Sequence, residues 1–586
     1  MNKQWDLSIL YNGFDTPEFE ADMSAFDAAI GEVIAFSETL DTLTPEELLL
    51  GYISLETKVS SLAEKLFIYA NLRYSANTAD TDAASTMGVL MGKLSAIAAP
   101  SAMTNKAIAK IENIEKIIES NDILREHSYR ILTIVKNSKH LLSDAEESLF
   151  AEMDISGATA WSDLQSNLTS SLKVDYKGET ITLSSVRNLA YDPDPEIRRE
   201  AFEAELAAYP KIETATAFAL NSIKLQVINE AARRGYESPL AKALDNSAMK
   251  QETLDALLAA MQEYMPAFRK YLRAKAKALG HEGGLPWYDL FAPMGKSDKK
   301  YTTEEARDYL LGIFGKFDSE LHDMVKEAFD NAWIDFFPRE GKVGGAFDCA
   351  VHSAGQSRVL TNFDGSFSDI VTLAHELGHS FHDRQVYKNS PLNREYSMPV
   401  AETASTFNEV LVMNTAISEC TDRDTKLALI ESQLMDATQI IVDIYSRYLF
   451  EASVFANRPQ EFLSPERMCA LMLDAQKQAY GEGLDENCMH PYMWLCKGHY
   501  YSGGLSFYNY PYAFGGLFAR GIYAKYLEEG KPFVETYKQM LRATGTSTVE
   551  DAAKVCGIDL TDVNFWRAGL ASIAKQIDEF CELVNY

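Results

Sequence analysis

The sequence predicts a mainly α-helical protein, and two observations support that prediction. Apolar residues recur at intervals of three and four along much of the 586-residue chain, which is the spacing of one face of an α-helix. Strand-like patterns are confined to two short segments. With 46% hydrophobic and 24% charged residues, the chain also has the composition of a folded globular protein, so wholesale disorder is excluded.

Helix starts can be recognised at several places. Thr44 precedes Pro45 and stands three residues before Glu47, a pattern in which the threonine caps the helix and the glutamate closes a capping box. Residues 251–279 keep the periodic pattern long enough to predict an extended amphipathic helix, whose apolar face we expect in the core. Comparable starting patterns occur at Asp194, Thr302 and Ser464.

Two segments depart from the helical pattern. Residues 172–184 have the composition of two short strands and predict a hairpin that turns at Lys177 and Gly178. Residues 343–363 are rich in glycine and in residues that favour strands. We therefore expect a small β-sheet in the second segment, just before the most informative helix of the chain.

The length corresponds to about three to four domains at roughly 150 residues each. No low-complexity run, long linker or internal repeat marks a boundary. We place a soft boundary at residues 185–200, where the predicted hairpin gives way to a helix start. The prediction is an N-terminal helical domain of residues 1–190 and a second domain of residues 191–586.

Charge and cysteine content exclude some classes of protein. The formal net charge of -30 disfavours nucleic-acid binding, because such a surface repels phosphate backbones. The seven cysteines are odd in number and include no CxxC pair, which favours free thiols in a reducing compartment. We see no signal-peptide pattern and no apolar run of about 18 residues, so we expect a cytoplasmic protein without a membrane span. Oligomeric state is not predicted.

The strongest chemical signal is His-Glu-Leu-Gly-His at residues 375–379. On a helix, His375 and His379 project from one face, so both imidazoles can reach one metal ion. Glu376 then points beside the metal, where it can accept the proton of a metal-bound water. The surrounding residues are helix-periodic, with Ser368 as the predicted N-cap and Asp369 suited to the positive end of the helix.

His382 is not a good third ligand. It lies seven residues beyond His375, which is about 10 Å along a helix axis at 1.5 Å per residue. Ligands of one tetrahedral ion lie much closer together than that. The metzincin spacing would require a histidine six residues after His379, and Gln385 is there instead. We therefore expect His382 to pack beside the ligands without touching the metal.

Glu402 and Glu409 are better partners for the two histidines. They lie seven residues apart on a predicted helix over residues 398–413, and hence on one face. Carboxylates on an otherwise apolar face are costly unless they are partnered. We predict Glu402 as the third metal ligand and Glu409 as the acceptor for the N–H of a ligand histidine. The alternative from spacing alone is a solvated acidic face.

A tyrosine-rich segment follows at residues 497–518. It contains His499 and five tyrosines, and neutral donors of this kind can stabilise a developing oxyanion. The pair Gly503 and Gly504 would allow a loop to move or to approach a substrate backbone closely. Read alone, the segment would favour a helix that packs through its tyrosines.

Three of these segments together resemble a known family. The strings HELGHSFH, PVAETASTFNE and HYYS…FYNYPYAFG are similar to the motifs of the oligoendopeptidase F branch of the thimet oligopeptidase family of zinc metallopeptidases. The N-terminal string WDLSILYNGFDTPEFEADM also looks like the start of that branch. The resemblance covers essentially the whole chain and is most specific over residues 360–409.

The resemblance implies a fold, an activity and a cofactor. Family members are mostly helical, two-lobed ellipsoids with a deep substrate channel, one Zn²⁺ ion on its floor, and a small β-sheet next to the zinc-binding helix. They hydrolyse internal peptide bonds of short peptides. We therefore expect residues 191–586 to form a zinc metallopeptidase domain and oligopeptides to be the substrates.

The resemblance also implies roles for individual residues. The zinc ligands would be His375, His379 and Glu402, with Glu376 as the general base. His499 would stabilise the transition state together with two tyrosines, of which Tyr508 is the first; Tyr512 is the second, with Tyr510 as the fallback. A strand from Arg358 to Phe363 would pair with the substrate backbone. The expected substrate-binding residues are Arg358, Asn362, Gly503, Gly504 and Tyr510.

Two other readings of the sequence remain open. A helical HExxH enzyme could instead be a zinc carboxypeptidase, which would release single C-terminal residues from a defined peptide. An acidic helical scaffold that keeps the motif without activity is the alternative from another class. An assay with and without a zinc chelator distinguishes the scaffold from both enzymes.

Overall fold

The computed structural model describes residues 3–295 and 299–586, and it is 71% helical with only small sheets. The predicted mainly α class is therefore confirmed. The helices are α1 (Pro17–Ser37), α2 (Pro45–Ala76), α3 (Thr81–Ser95), α4 (Ala98–Ala109), α5 (Ile114–Glu119), α6 (Asp122–Glu126), α7 (Ser128–Ser138), α8 (Asp144–Asp154), α9 (Ala160–Ser171), α10 (Leu183–Asn188), α11 (Pro195–Ala208), α12 (Glu213–Arg233), α13 (Pro239–Asn246), α14 (Gln251–Ala278), α15 (Thr303–Phe317), α16 (Ser319–Asp330), α17 (Phe367–Val386), α18 (Met398–Ala401), α19 (Thr403–Glu419), α20 (Arg423–Thr438), α21 (Ile444–Asn457), α22 (Pro465–Tyr480), α23 (Tyr510–Glu529), α24 (Lys531–Ala543), α25 (Val549–Lys554) and α26 (Val563–Leu583). The strands are β1 (Lys173–Tyr176), β2 (Glu179–Thr182), β3 (Ile334–Asp335), β4 (Phe347–Val351) and β5 (Gln356–Leu360).

The predicted helix starts are confirmed by their caps. At the start of α2, the Thr44 hydroxyl accepts from the Glu47 N–H at 3.3 Å and the Glu47 carboxylate accepts from the Thr44 N–H at 2.9 Å. This is the reciprocal capping box that the sequence pattern predicts. Comparable side-chain caps begin α11, α15 and α22 at Asp194, Thr302 and Ser464.

The predicted hairpin is also present. Strands β1 and β2 pair antiparallel, and the two residues between them, Lys177 and Gly178, have φ angles of 52° and 83°. Positive φ at both central residues is the geometry of a type I′ turn, whose twist matches that of the flanking strands. Glycine adopts this conformation without strain, which explains its place in the turn.

The chain forms two compact units, each built from three segments. The first contains the described residues of 1–139, 299–412 and 525–558, and the second those of 140–298, 413–524 and 559–586. The units are discontinuous in sequence, and the predicted domains of residues 1–190 and 191–586 stay a prediction. A boundary drawn from sequence composition cannot detect units that are built from segments distant in the sequence.

The first unit contains the larger sheet and the residues of the predicted metal centre. Its sheet has the order β3-β5-β4, with β5 parallel to β3 and antiparallel to β4. An apolar core that includes Phe26, Leu66 and Leu72 packs helices α1 and α2 against this sheet through Val351 and Leu360. The small sheet predicted from residues 343–363 thus lies directly before α17.

The second unit is built around α14, which packs along α26, for instance through Tyr271 and Phe580 at 5.0 Å between ring centroids. Its interior contains several ion pairs, including two between lysine and glutamate. Lys275 donates to Glu431 at 2.5 Å, and Lys224 donates to Glu451 at 2.7 Å. Buried ion pairs of this kind are costly to break because each partner would leave an uncompensated charge.

No helix among the residues that the structure describes is long and apolar enough to cross a membrane.

Candidate metal centre

The metal helix α17 begins two residues earlier than predicted. Its N-cap is Ser366, whose hydroxyl accepts from the Asp369 N–H at 3.2 Å. The Asp369 carboxylate accepts from the Ser366 N–H at 3.0 Å and so closes a capping box. The prediction of Ser368 as the N-cap is therefore wrong, because Ser366 offers the partner for which Asp369 is correctly spaced. Ser368 lies inside the first helical turn.

Three potential ligand atoms meet beside α17. The Nε2 atoms of His375 and His379 lie 3.2 Å apart, and Glu402 Oε2 lies 3.3 Å from the first and 3.4 Å from the second. Ligands held about 2.1 Å from a tetrahedral zinc ion are separated by about 3.4 Å. The donor set and its spacing therefore fit one zinc ion with a fourth position left for another ligand.

The carboxylate of Glu376 lies beside this triangle. One ligand-type atom from each of His375, Glu376 and His379 falls within 4.8 Å of the others. Glu376 is buried, with 6% of its surface exposed, whereas the side chains of the two histidines and Glu402 are 19–32% exposed. The three ligand side chains are therefore partly open to solvent, while the Glu376 side chain is shielded.

Glu402 occupies a joint between two helices, which the sequence did not predict. Helix α18 ends at Ala401 and α19 begins at Thr403, while Glu402 itself has φ -86° and ψ 8°. The prediction of one continuous helix over residues 398–413 is therefore wrong. Glu402 and Glu409 still converge on the histidines, and the Ser405 hydroxyl donates to Glu402 at 2.8 Å.

Glu409 orients one of the two imidazoles. Its Oε1 atom accepts a hydrogen bond from His375 Nδ1. Because Nδ1 is engaged, the opposite ring nitrogen Nε2 is the one turned toward His379 and Glu402. Such a carboxylate fixes the tautomer and the direction of a ligand histidine and increases its basicity.

The charges of this cluster are strongly coupled. Desolvation alone would lower the pKa of His375, but its hydrogen bond to Glu409 and the nearby carboxylates raise that pKa to about 9. Desolvation would raise the pKa of Glu402, yet the hydrogen bond from His379 and the charges of both histidines lower it to about 2. Desolvation raises the pKa of Glu376, which makes its carboxylate a better proton acceptor than an exposed one.

The close approach of α17 and α19 depends on a glycine in the motif. A Cβ atom at Gly378 would lie 2.5 Å from the carbonyl oxygen of Ala404 and 2.5 Å from the Cα of Ser405. Asn408 ties the same two helices together, since its Nδ2 donates to the Ala374 carbonyl at 3.1 Å. The sequence analysis missed both residues, although a glycine between two predicted ligands was a visible signal.

His382 lies in the interior, away from the triangle of ligand atoms. Its Nε2 is 2.8 Å from the Thr544 hydroxyl, and its ring stacks on Tyr396 with 4.0 Å between centroids. Desolvation and the nearby His379 lower the pKa of His382 to about 3, so its ring is neutral. Its role is to pack the back of the metal helix.

A second group of carboxyl side chains lies behind α17 and was also missed. The Ser380 hydroxyl donates to Asp348 at 2.6 Å, and the Tyr396 hydroxyl donates to Asp383 at 3.0 Å. Desolvation and the adjacent Asp383 raise the pKa of Asp348 well above its ordinary value. The two carboxyl groups contact each other, and they link strand β4 to the metal helix. No spacing in the sequence indicates this pairing, because it joins a strand to a helix.

The predicted role of the strand from Arg358 to Phe363 is wrong. Strand β5 pairs with β4 on one side and β3 on the other, and the N–H groups of Thr361 and Phe363 donate to Asp335 and Phe336. No edge remains there for a substrate. Arg358 is 2% exposed and donates to the Asp6 carbonyl at 2.8 Å, so it supports the fold.

Asn362 contacts the loop that precedes β4. Its Nδ2 donates to the carbonyl oxygens of Val343 and Gly345 at 3.1 and 2.8 Å. The side chain thus holds the residues that lead into β4, which is one of the two edge strands of the sheet. This contact gives Asn362 a structural role in the first unit, and no substrate contact follows from it.

The remaining predicted residues belong to the second unit. His499 lies in a short 3₁₀ turn, and its Nε2 is buried without a hydrogen-bond partner among the described residues. Desolvation and the charges of Arg447 and Lys497 lower the pKa of His499 to about 3, so its ring is neutral. A neutral imidazole can donate one hydrogen bond and accept another.

The three candidate tyrosines differ in their exposure. Tyr508 and Tyr512 pack edge to face with 5.7 Å between ring centroids, and Tyr512 is 44% exposed. Tyr510 is 1% exposed, and its hydroxyl is 3.0 Å from that of Ser247. Burial therefore makes Tyr510 a poor substrate-binding or catalytic residue.

The two glycines that were predicted to contact substrate differ in their surroundings. Gly503 packs against the residues just before α9, where a Cβ atom would meet Ala158 at 2.7 Å. Gly504 is exposed.

The fold and these residues agree with comparisons to known proteins. The model of the family described as Peptidase family M3 matches residues 188–572, and that of the family described as Oligopeptidase F matches residues 109–173. The first match spans more than half of the chain. The chain therefore belongs to peptidase family M3 and is a peptidase.

Individual relatives agree with this assignment. The chain is 26% identical to oligopeptidase PepF of Bacillus subtilis over 547 residues, which cover 91% of this chain and 80% of that protein. It is also 26% identical to group B oligopeptidase PepB of Streptococcus agalactiae, with 99% of this chain and 97% of that protein covered. The resemblance to oligoendopeptidase F is thereby confirmed.

Solved structures share the fold. A protein of Chlamydophila abortus superposes with a TM-score of 0.85 at 21% identity, covering 99% of this chain and 98% of that chain. The oligoendopeptidase-F of Enterococcus faecium superposes with a TM-score of 0.72 at 19% identity, covering 97% and 99%.

Proposed function

We propose that the protein is a zinc-dependent oligoendopeptidase, which hydrolyses internal peptide bonds of short peptides. The observation that carries this proposal is the triangle of His375 Nε2, His379 Nε2 and Glu402 Oε2, whose sides of 3.2 to 3.4 Å suit one tetrahedral ion. Two histidines and a carboxylate on HExxH spacing are the usual donor set of a hydrolytic zinc site. Membership of a metallopeptidase family supports the same conclusion.

The chain's own residues account for the proton transfers. When bound, a zinc ion supplies Lewis acidity for the scissile carbonyl and lowers the pKa of water. Glu376 accepts a proton from the attacking water and delivers it to the leaving amine. Its raised pKa suits both steps, because a carboxylate that is too weak a base would not take the proton. Glu409 keeps the imidazole of His375 in the orientation that the ligand set requires.

The outer edge of β4 is the proposed site for the substrate backbone. Strand β4 pairs with β5 on one side only, and the N–H of Asp348 on this strand faces the Glu376 carboxylate. An extended peptide that adds to this edge would lie beside the proposed general base. Recognition through main-chain hydrogen bonds tolerates many side chains, which suits an enzyme for varied oligopeptides.

His499, Tyr508 and Tyr512 are proposed as donors to the tetrahedral oxyanion. The support is the resemblance of their segment to the family motif, together with the neutral state of His499 and the partial exposure of Tyr512. Donors aimed at developing charge usually provide the largest single contribution to such catalysis. Free thiols at all seven cysteines support a reducing, cytoplasmic compartment for this activity.

The test combines metal content with product analysis. Purified protein is assayed for metal, and a defined peptide of about ten residues is digested with and without a zinc chelator. We expect about one zinc ion per chain, chelator-sensitive turnover, and internal cuts by mass spectrometry. A ladder of products shortened one residue at a time would support a carboxypeptidase instead. Turnover that is unaffected by complete metal removal would overturn the proposal.

A further inference from the structure

The second unit contains a cavity of about 230 Å³ that no part of the proposed mechanism uses. It lies between helices α10 and α11 and the segment around Trp287. A neighbouring cavity of about 50 Å³ reaches toward α14 and α21. The two cavities have five lining residues in common and so form one continuous polar and aromatic region. The shared residues are Arg187, Trp287, Phe291, Gln439 and Lys497.

Two cationic side chains in this wall have unused donors. Arg187 makes all of its hydrogen bonds through Nη1, which donates to Glu205 at 2.6 Å, to the Tyr209 hydroxyl at 3.2 Å and to Cys496 Sγ at 3.0 Å. Its Nε and Nη2 groups have no partner among the described residues. Lys497 Nζ likewise makes no hydrogen bond or ion pair with the residues that the structure describes. Nε and Nη2 of a guanidinium present the planar edge that binds a carboxylate in bidentate fashion.

The carboxylates near the cavity are already matched. Glu205 accepts from Arg187 and from His490, the latter at 3.1 Å. Asp443, which lines the neighbouring cavity, accepts from Arg447, and Asp289 accepts from the lining residue Arg198. Lys497 is therefore the cation of this wall that forms no ion pair with a described residue, although the charge of Asp443 acts on it from nearby.

The lowered pKa of Lys497 agrees with the lack of an ion-pair partner. Desolvation, and then the nearby charge of Arg447, lower the pKa of the Lys497 ammonium group. Arg187 contributes in the same direction, and the charge of Asp443 opposes the shift in part. An ammonium group that is destabilised in this way would be stabilised by a bound anion, since opposite charge favours the protonated form.

Aromatic side chains form much of the rest of the wall, beside several polar ones. Tyr191 packs on Phe291 with 5.0 Å between centroids, and Phe202 lies 6.0 Å from Tyr288. Trp287 adds a third aromatic surface. A water molecule occupies about 30 Å³ of liquid, so the cavity has room for far more than an inorganic ion. Pockets for small molecules combine apolar walls with a few placed polar groups in this manner.

We propose that this cavity binds a small organic carboxylate that carries an aromatic or aliphatic group, with Lys497 and the free edge of Arg187 on the carboxylate. Two sources have this chemistry, namely a free apolar amino acid and the C-terminal residue of a peptide. The site is distinct in its residues from the metal centre, and the inference does not depend on the proposed zinc chemistry.

The test measures binding by calorimetry at neutral pH. N-acetyl-L-phenylalanine represents a peptide C-terminus, and L-phenylalanine represents the free amino acid. N-acetyl-L-phenylalaninamide, which lacks the carboxylate, is the matched ligand control. We expect at least one of the two carboxylates to bind with a Kd of roughly 1 mM or below. The amide should bind about tenfold more weakly or not at all.

Two variants locate the binding. Lys497→Met keeps the length of the side chain and should weaken binding of the carboxylate about tenfold. Lys477→Met is the matched control, because Lys477 is exposed on α22 and does not line the cavity. Ala190→Leu enlarges a side chain of the wall and should also weaken binding. Binding to metal-depleted protein should be unchanged, which separates this site from the metal centre.

Each outcome of these experiments either supports the proposed binding site or rejects it. Binding of only the acetylated or only the free amino acid supports the site and identifies its source. Failure of both carboxylates to bind would overturn the proposal, and so would equal binding to Lys497→Met and to the unaltered protein. Competition by inorganic phosphate at the same concentration as the carboxylate would reject an organic ligand in favour of a general anion site. If the unaltered protein binds the carboxylate but has no peptidase activity, the proposed function is contradicted and this inference stays in place.

Discussion

The Nδ1 atom of His375 donates to Glu409 Oε1, so one imidazole links a carboxylate outside the ligand triangle to the ligand atoms themselves. This hydrogen bond restrains the rotation of the ring and keeps Nε2 directed at His379 and Glu402. The two helices that carry these residues, α17 and α19, are thereby joined at the metal centre as well as through their packing.

Glu409→Gln should reduce metal affinity without abolishing it. An amide is a poorer acceptor than a carboxylate and does not increase the basicity of His375, so we expect about a 10- to 100-fold weaker Kd for zinc. Titration against a competing chelator measures this change. Glu402→Ala should cause a larger loss because it removes a ligand atom, whereas Glu419→Gln on the exposed end of α19 should leave the affinity unchanged. Equal affinities for Glu402→Ala and the unaltered protein would require a different third ligand.

Glu376→Gln should keep the metal and lose turnover. The amide has nearly the same shape but cannot accept a proton, so kcat should fall by about 10²- to 10⁴-fold. Metal analysis together with steady-state assays on a short peptide checks both halves of this expectation. Glu340→Gln, an exposed glutamate in the same unit, is the matched control. Substantial activity in the Glu376 variant would exclude it as the general base.

Tyr508→Phe and Tyr512→Phe should lower kcat more than they raise KM. Loss of one donor to the oxyanion typically costs about 10²- to 10³-fold in kcat. Tyr510→Phe is the internal control, because the Tyr510 hydroxyl is 3.0 Å from that of Ser247 in the interior and should affect stability instead. A change confined to KM in the first two variants would make them substrate-binding residues.

Glu205 should make stability depend on pH in the acidic range. Although desolvation alone would raise its pKa, hydrogen bonds and charges from His490 and Arg187 lower it to about 2. A depressed carboxyl pKa contributes stability above the unfolded value of 4.5, and that contribution is lost as the pH falls toward 2. The full contribution is on the order of 3 kcal/mol at 1.4 kcal/mol per unit.

Calorimetric unfolding of the protein and of Glu205→Gln provides the measurement. The difference in Tm between the two should be largest near neutral pH and should shrink between pH 5 and pH 3. A difference that stays constant over this range would mean that the Glu205 carboxylate is not preferentially stabilised in the folded state.

Local features of the structure could be predicted well from the sequence. Helix caps such as Thr44 with Glu47, and the turn at Lys177 and Gly178, depend on neighbouring residues and appear as expected. The motif of His375 and His379 is likewise a short-range pattern on one helix, and the structure brings these two side chains together.

Features that depend on distant segments could not be predicted. The order β3-β5-β4 pairs β5 on both sides, which removed the strand edge that the sequence analysis had assigned to the substrate. The break at Glu402 and the Asp348–Asp383 contact arise from packing between elements, and no spacing in the sequence encodes them. The cavity beside Lys497 draws on four separate stretches of chain and has no local signature at all.

The glycine at position 378 has a consequence for how far this chain can vary. Since the main chain at Ala404 and Ser405 already fills the space where any larger residue would begin its side chain, even alanine would push the two helices apart. A saturation library of this segment should therefore find Gly378 as intolerant as the histidines on either side, although it offers no electron pair to an ion. A redesign of this helix for another metal ion would therefore have to keep glycine at position 378, whatever ligands are chosen.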